Sequence, residues 1–240
     1  MPRLLGRGTT NHENRVHLTP DSIFELNIWI VGTAKNFSYF IEKKIDRSGT
    51  LLIAGVDEVG RGPLAGPVLA AAVVFPPGLF LPGVTDSKRL NSKQRDFLFQ
   101  LIKRKSVAVG LGLLGPREID RLNILQASLS AMEQAVSQLN LKPDLVLVDG
   151  NRPLKQPFLQ KCLIQGDLLS HSIGAASIIA KVVRDKLMES WHYRFPQYNF
   201  FDNKGYGTRE HLAALRRYGP CPLHRLSFKG TVFGEFYTAG

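Results

Sequence analysis

Apolar residues follow no sustained period over the first part of the chain and a regular one after it. Up to about residue 48, short apolar pieces such as Ile23-Phe24 and Ile28-Trp29-Ile30-Val31 stand among polar residues, which predicts an N-terminal extension, 1–48, rather than core. This pattern is compatible with a docking element, a disordered arm, a transit peptide or an upstream start. From Leu51 the chain becomes regular. Apolar runs predict strands over 51–57 and 68–75, and a third over 107–114, where Gly110 and Gly112 indicate a twist or a close contact. Leu145 to Val148 is fully apolar, the mark of a buried strand, and a further short strand is expected over 162–164.

Helical periodicity fills the intervals. Phe97, Leu98, Leu101 and Ile102 give one apolar face to a helix over 93–104, with capping residues in the Thr85 to Ser92 stretch ahead of it. A long helix is predicted from Arg117 to Leu139 and a buried one from Ser172 to Trp191. Thr208 is placed to cap a helix over 209–218 that Gly219-Pro220 ends. Strands alternating with helices after an initial hairpin predict an α/β fold, a mixed sheet flanked by helices with a helical C-terminal part. The expected division is 1–48 extension, 49–200 core and 201–240 C-terminal part.

The chemistry gathers where strands end. The first strand runs into Asp57-Glu58, followed by a loop holding Gly60, Arg61, Gly62 and Gly66. Adjacent strand side chains point to opposite faces, so the two carboxylates are expected to converge only if the strand stops and the backbone turns, a freedom that glycine supplies. Asp149 closes the Leu145–Val148 run, and Asp167 follows the next apolar stretch. Any one of these aspartates alone reads equally well as a turn or cap residue. Together, four carboxylates repel one another unless cations neutralise them, and an oxygen-only donor set suits Mg²⁺ or Mn²⁺. Two such ions could activate a water and stabilise the leaving oxygen of a phosphodiester. The glycine pattern is also a loosened dinucleotide-binding loop, but a strand rather than a helix follows it.

Composition narrows the partner. The 240 residues carry 31 basic and 20 acidic side chains, a formal net charge of +11, which favours a polyanion. A non-catalytic nucleic-acid-binding module would explain the charge and leave the acidic cluster unexplained. Two separated cysteines, Cys162 and Cys221, form no zinc or disulfide framework and make a reducing compartment the default. No apolar run is long enough to span a membrane.

These motifs resemble bacterial ribonuclease HII, the type 2 ribonuclease H. The likeness is carried by GVDEVGRGPLAGPV (55–68), TDSKRL (85–90), IDRLNILQAS (119–128), LVDG (147–150), GD (166–167), AASIIAKVVRD (175–185), KGYGT (204–208) and HRLSF (224–228). The resemblance implies an RNase H-like fold and an endoribonuclease, located in the cytoplasm and monomeric, that acts on RNA–DNA hybrids. It also implies incision 5′ to single ribonucleotides in duplex DNA, leaving 3′-hydroxyl and 5′-phosphate ends. Asp57, Glu58, Asp149 and Asp167 would be the catalytic carboxylates, holding Mn²⁺ or Mg²⁺. Gly60, Arg61 and Gly62 match the tripeptide that reads the ribose 2′-hydroxyl, the group that separates RNA from DNA, and that tripeptide argues against a DNA-cutting resolvase. Tyr206 matches the tyrosine at the RNA–DNA junction. Lys88, Lys204 and Arg225 join them as substrate contacts, the last two in a cationic C-terminal side with Arg209, Arg216, Arg217, His224 and Lys229, suited to phosphate. Gln165 stands where the family commonly has lysine, and Gly174 where it has alanine. Residues 231–240 show no sliding-clamp motif.

Overall fold

The computed structural model describes residues 40–231. Most of the predicted N-terminal extension, and the C-terminal stretch read for a clamp motif, lie outside the described residues. Five strands form one mixed sheet in the order β3-β2-β1-β4-β5: β1 (Ile53–Val59), β2 (Val68–Val74), β3 (Ala108–Leu114), β4 (Leu145–Asp149) and β5 (Gln160–Leu163). β1 pairs antiparallel with β2 and parallel with β4. All seven residues of β2 are buried, because helices cover both of its faces and strands flank both of its edges.

Strand alternation sorts the core into two layers. Even-numbered positions of β1 and β2, among them Val56, Val68 and Ala72, pack against α4 (Ile124–Ser137) through Ala127, Ala131 and Ala135. Odd-numbered positions of β2, Leu69, Ala71 and Val73, pack against α2 (Ser92–Lys105) and α6 (His171–His192). The close contact expected at Gly110 and Gly112 is present: a Cβ at either would strike the carbonyl of Ala135 or Ala131 on α4. α6 comes equally close to Gly55 of β1, which is why its N-terminal half is built of Gly174, Ala175, Ala176, Ser177 and Ala180.

Two expectations need correction. The helix predicted over 117–139 is two helices, α3 (Pro116–Leu122) and α4, broken at Asn123. Asn123 has φ 67° and its side chain accepts from Gln126 N–H, so it caps α4 instead of continuing α3. Nor is the stretch before residue 49 all extension. Residues of α1 (Phe40–Ile45) reach the core: Ile41 is buried against Leu145, Leu147 and Ile173, and Glu42 Oε1 accepts from Ser172 N–H and from the hydroxyls of Ser170 and Ser172 at the start of α6.

The C-terminal elements are α7 (Phe200–Asn203) and α8 (Arg209–Tyr218), the latter with the predicted bounds and the Thr208 cap, whose side chain accepts from His211 N–H. Tyr198, Phe200, Ala214 and Leu215 pack with Met188 of α6 onto Leu64 and Ala65. The C-terminal part is thereby docked on the loop that follows the two carboxylates of β1.

Candidate active site

β1 runs on through Asp57 and Glu58 to Val59, so the strand does not stop at the carboxylates as expected. It is β4 that stops: the last β1–β4 pair is Val56 with Val148, whereas pairing with β2 continues to Val59 with Leu69. One side of β1 is therefore open from Asp57 onward, and the carboxylates meet across that gap. Ligand oxygens of Asp57, Glu58 and Asp149 all lie within 4.8 Å of one another. Asp167 sits in α5 (Gly166–Leu169), a single turn reached through Gln165, a non-glycine residue held at φ 56°. It is outside that three-residue group, yet its charge acts on Asp57 and Asp149 lies close enough to act on it.

Two of the carboxylates, Asp149 and Asp57, are held by backbone N–H groups. Gly166 N–H donates to Asp149 Oδ1 at 2.7 Å, and a Cβ at Gly166 would collide with Ile173 and crowd that same oxygen. Asp57 Oδ1 accepts from Glu58 N–H at 2.7 Å, and the nearby Ser177 hydroxyl, 3.0 Å from Ser87 Oγ, opposes the upward shift of the Asp57 carboxyl. Burial, then the charges of Glu58 and Asp149, hold the Asp57 carboxyl well above its ordinary range. Burial also raises Asp149, against hydrogen bonds from backbone N–H groups that pull it down. Asp167 is pushed up to about 6 by burial and by Asp149, with the nearby Lys88 ammonium opposing.

The donor set fits a hard divalent cation. It consists of carboxylate oxygens only, their mutual repulsion calls for positive charge, and Glu58 Oε2 is buried with no hydrogen-bond partner among the described residues. Glu58 Oε1 is taken by Arg61 Nη1 at 3.2 Å, an ion pair half exposed on the arginine side.

The loop after β1 places Gly60, Arg61 and Gly62 beside the C-terminal part. Gly60 has φ +91°, and a Cβ there would run into Arg184. A Cβ at Gly62 would lie 3.7 Å from Tyr206 Cε1, so this glycine and the tyrosine face one gap. Tyr206 is 44% exposed, and its own N–H is tied to Asn203 O. Lys88 is exposed next to Asp167. Lys204 is partly committed, with its ammonium 2.9 Å from Glu189.

Arg225 corrects the sequence reading. It was expected on a phosphate-facing surface and is fully buried, donating to the carbonyls of Gly60, Arg61 and Gly66. His224 is likewise buried. Cys221 N–H can only donate, so His224 Nδ1 accepts it, leaving the proton on Nε2 to donate to His211 Nε2 at 2.9 Å. His211 Nδ1–H then donates to Tyr206 O at 2.8 Å. Burial lowers both rings below the ordinary imidazole range, His224 to about 4. The sequence reading also missed Ser177 and Arg184, which carry no marker beyond lying in the Ala175–Asp185 motif.

A five-stranded mixed sheet with helices on both faces and carboxylates at the ends of its central strands defines the RNase H-like fold class. The family model for ribonuclease HII matches residues 54–231. The chain is 52% identical over 191 residues to ribonuclease HII of Syntrophotalea carbinolica, covering 80% of this chain and 91% of that protein. It is 56% identical over 194 residues to that of Syntrophobacter fumaroxidans, covering 81% and 83%. Among solved structures, ribonuclease H2 from Pyrococcus horikoshii OT3 superposes with a TM-score of 0.66 at 26% identity, over 78% of this chain and 99% of that one. Bst-RNase HIII in complex with Mn²⁺, at 19% identity and a TM-score of 0.57 over 88% and 77%, shares the fold. The chain belongs to the ribonuclease HII family. It is a type 2 ribonuclease H, an enzyme that cleaves RNA in RNA–DNA hybrids endonucleolytically and depends on divalent metal. No helix among the described residues is long and apolar enough to cross a membrane.

Proposed function

We propose that this enzyme, besides cleaving hybrids, incises duplex DNA 5′ to a single ribonucleotide, leaving 3′-hydroxyl and 5′-phosphate ends, with two Mg²⁺ or Mn²⁺ ions held by Asp57, Glu58, Asp149 and Asp167. The supporting observation is a juxtaposition: three carboxylates with ligand oxygens within 4.8 Å of one another adjoin a loop in which a Cβ built on Gly62 would lie 3.7 Å from Tyr206 Cε1. A cut is then placed by whatever sugar lies against that glycine and that tyrosine. When bound, the ions supply positive charge that neutralises the carboxylates and polarises the phosphodiester.

The chain's own residues do the rest. Gly166 N–H fixes the orientation of Asp149 and Glu58 N–H that of Asp57, so these two carboxylates need little rearrangement on binding. The Gly60–Gly62 backbone comes close enough to pair with a 2′-hydroxyl, a donor and acceptor that deoxyribose lacks. The Tyr206 ring presents a flat apolar surface to the adjoining sugar or base. Lys88 and the exposed Arg209, Arg216, Arg217 and Lys229 contact phosphates without reading sequence. Residues 49–200 act as the catalytic core and 201–240 as the substrate-gripping part, in a monomeric cytoplasmic enzyme.

The test is incision of matched duplexes, one all-DNA and one with a single ribonucleotide, in Mg²⁺, in Mn²⁺ and in chelator. Cutting 5′ to the ribonucleotide only, and only with metal, is expected. Equal cutting of both duplexes, or activity in chelator, refutes the proposal.

A further inference from the structure

Arg184 and Arg225 are both fully buried, and among the described residues neither has a carboxylate within ion-pair distance. A buried guanidinium without a counter-ion is costly unless its N–H groups are satisfied. Here the three hydrogen bonds that each makes all go to backbone carbonyls. Arg184 donates to Pro67 O and Lys204 O at 3.0 Å and to Ala65 O at 3.1 Å. Arg225 donates to Gly66 O and Arg61 O at 2.9 Å and to Gly60 O at 2.5 Å, and its guanidinium lies 4.9 Å from the Phe228 ring centroid.

The peptide unit is planar and trans, so a carbonyl and the N–H of the next residue point in opposite directions. With the carbonyls of Gly60 and Arg61 turned inward onto Arg225, the N–H groups of Arg61 and Gly62 are turned outward. Neither meets a protein acceptor among the described residues, and both residues are exposed. Tyr206, 44% exposed, is the side chain that a Cβ on Gly62 would meet on this side of the loop. Successive outward N–H groups form a concavity that binds an electronegative atom, and a cation behind the carbonyls polarises the same peptide units.

We propose that Arg225 is a positioning residue for substrate discrimination: it fixes the carbonyls of Gly60 and Arg61 so that the N–H groups of Arg61 and Gly62 stand as paired donors to the ribose 2′-oxygen. This rests on the ribose-reading role proposed for the loop. Arg184 assists by tying Ala65 and Pro67 to Lys204, which keeps the loop and the Tyr206 segment at a fixed separation. Arginine is required because its planar fork holds several carbonyls at set spacing, whereas a lysine ammonium is a point charge.

The test compares the full-length wild type with Arg225→Lys and Arg184→Lys. On a duplex with one ribonucleotide, Arg225→Lys is expected to lower kcat/KM at least about tenfold, the signature of a lost transition-state contact. Affinity for an all-DNA duplex, and the slope of log affinity against log salt, stay at wild-type values. A salt slope reduced by about one identifies a phosphate contact instead and overturns the proposal, as does unchanged kcat/KM. A readout independent of variant folding is the amide spectrum of the protein with Arg225 intact, taken in an Asp149→Asn background that prevents cutting. The Arg61 and Gly62 N–H signals should move with the ribonucleotide duplex and not with all-DNA; equal response to both overturns the proposal. A wild type that does not discriminate ribonucleotide from DNA refutes the ribose-reading role itself. Discrimination kept undiminished in Arg225→Lys refutes only this inference.

Discussion

Replacing Asp167 by asparagine should stabilise the metal-free protein at neutral pH and leave it unchanged in acid. In chelator the Asp167 carboxyl sits partly buried beside Asp149, and these two influences lift it from 3.8 to about 6. A rise of that size is equivalent to about 3 kcal/mol; the side chain is partly exposed, and solvent screening reduces this to about 1–2 kcal/mol. The folded state binds the proton more tightly than the unfolded state, so ionisation costs stability. The cost is absent below the unfolded value of 3.8, grows up to about 6 and is complete above it. Asparagine never ionises and escapes the cost.

For a domain of this size a gain of 1–2 kcal/mol raises Tm by roughly 3–6 °C. Thermal unfolding of both proteins in chelator at pH 4 and pH 8 measures the difference. A variant no more stable than wild type at pH 8 refutes the electrostatic reading of the cluster. An equal gain at both pH values assigns it to packing. Saturating Mg²⁺ should narrow or reverse the gap, because metal binds and stabilises the folded wild type by mass action.

Asp149→Asn keeps an oxygen for the Gly166 N–H and removes the charge. Loss of an outer hydrogen-bond partner of a metal ligand costs about 10–100-fold, and a ligand should cost no less; turnover should collapse while duplex affinity by fluorescence anisotropy persists, and unchanged turnover would remove Asp149 from the site. Asp120→Ala should destabilise the fold by about 1–2 kcal/mol in urea, because Asp120 accepts from Leu226 N–H, Ser227 N–H and the Ser227 hydroxyl and so pins α3 to the turn after Arg225. A change within about 0.3 kcal/mol would mean that water replaces it without cost.

What could be read from the sequence was whatever has a period or a cap. The strands and α8 were legible because alternation, apolar runs and the Thr208 cap are local signals. The carboxylates were legible because each follows an apolar strand. The break at Asn123 was hidden inside a continuous apolar stripe, since asparagine with a positive φ looks the same in sequence as asparagine within a helix. Glu42 and Ile41 were missed because a six-residue helix is too short to show a period. Arg225 and His224 were misplaced for another reason: charge predicts exposure only where no row of carbonyls is waiting, and that row comes from residues about 160 positions away in the chain.

The same separation in sequence gives Arg61 two distinct halves. Its carbonyl is locked onto a buried guanidinium, while its own guanidinium is half exposed and paired with Glu58 at 3.2 Å. A pair with one partner in solvent is worth about 0–1 kcal/mol, so the side chain can leave Glu58 at little cost while the backbone stays fixed. Glu58 in turn would lose only that weak contact to a cation, since its other oxygen, Oε2, has no partner among the described residues. A fixed backbone, the part proposed to read the ribose, and a weakly held side chain thus meet in one residue. The carboxylates stay available because the two buried arginines are satisfied by carbonyls and take none of them.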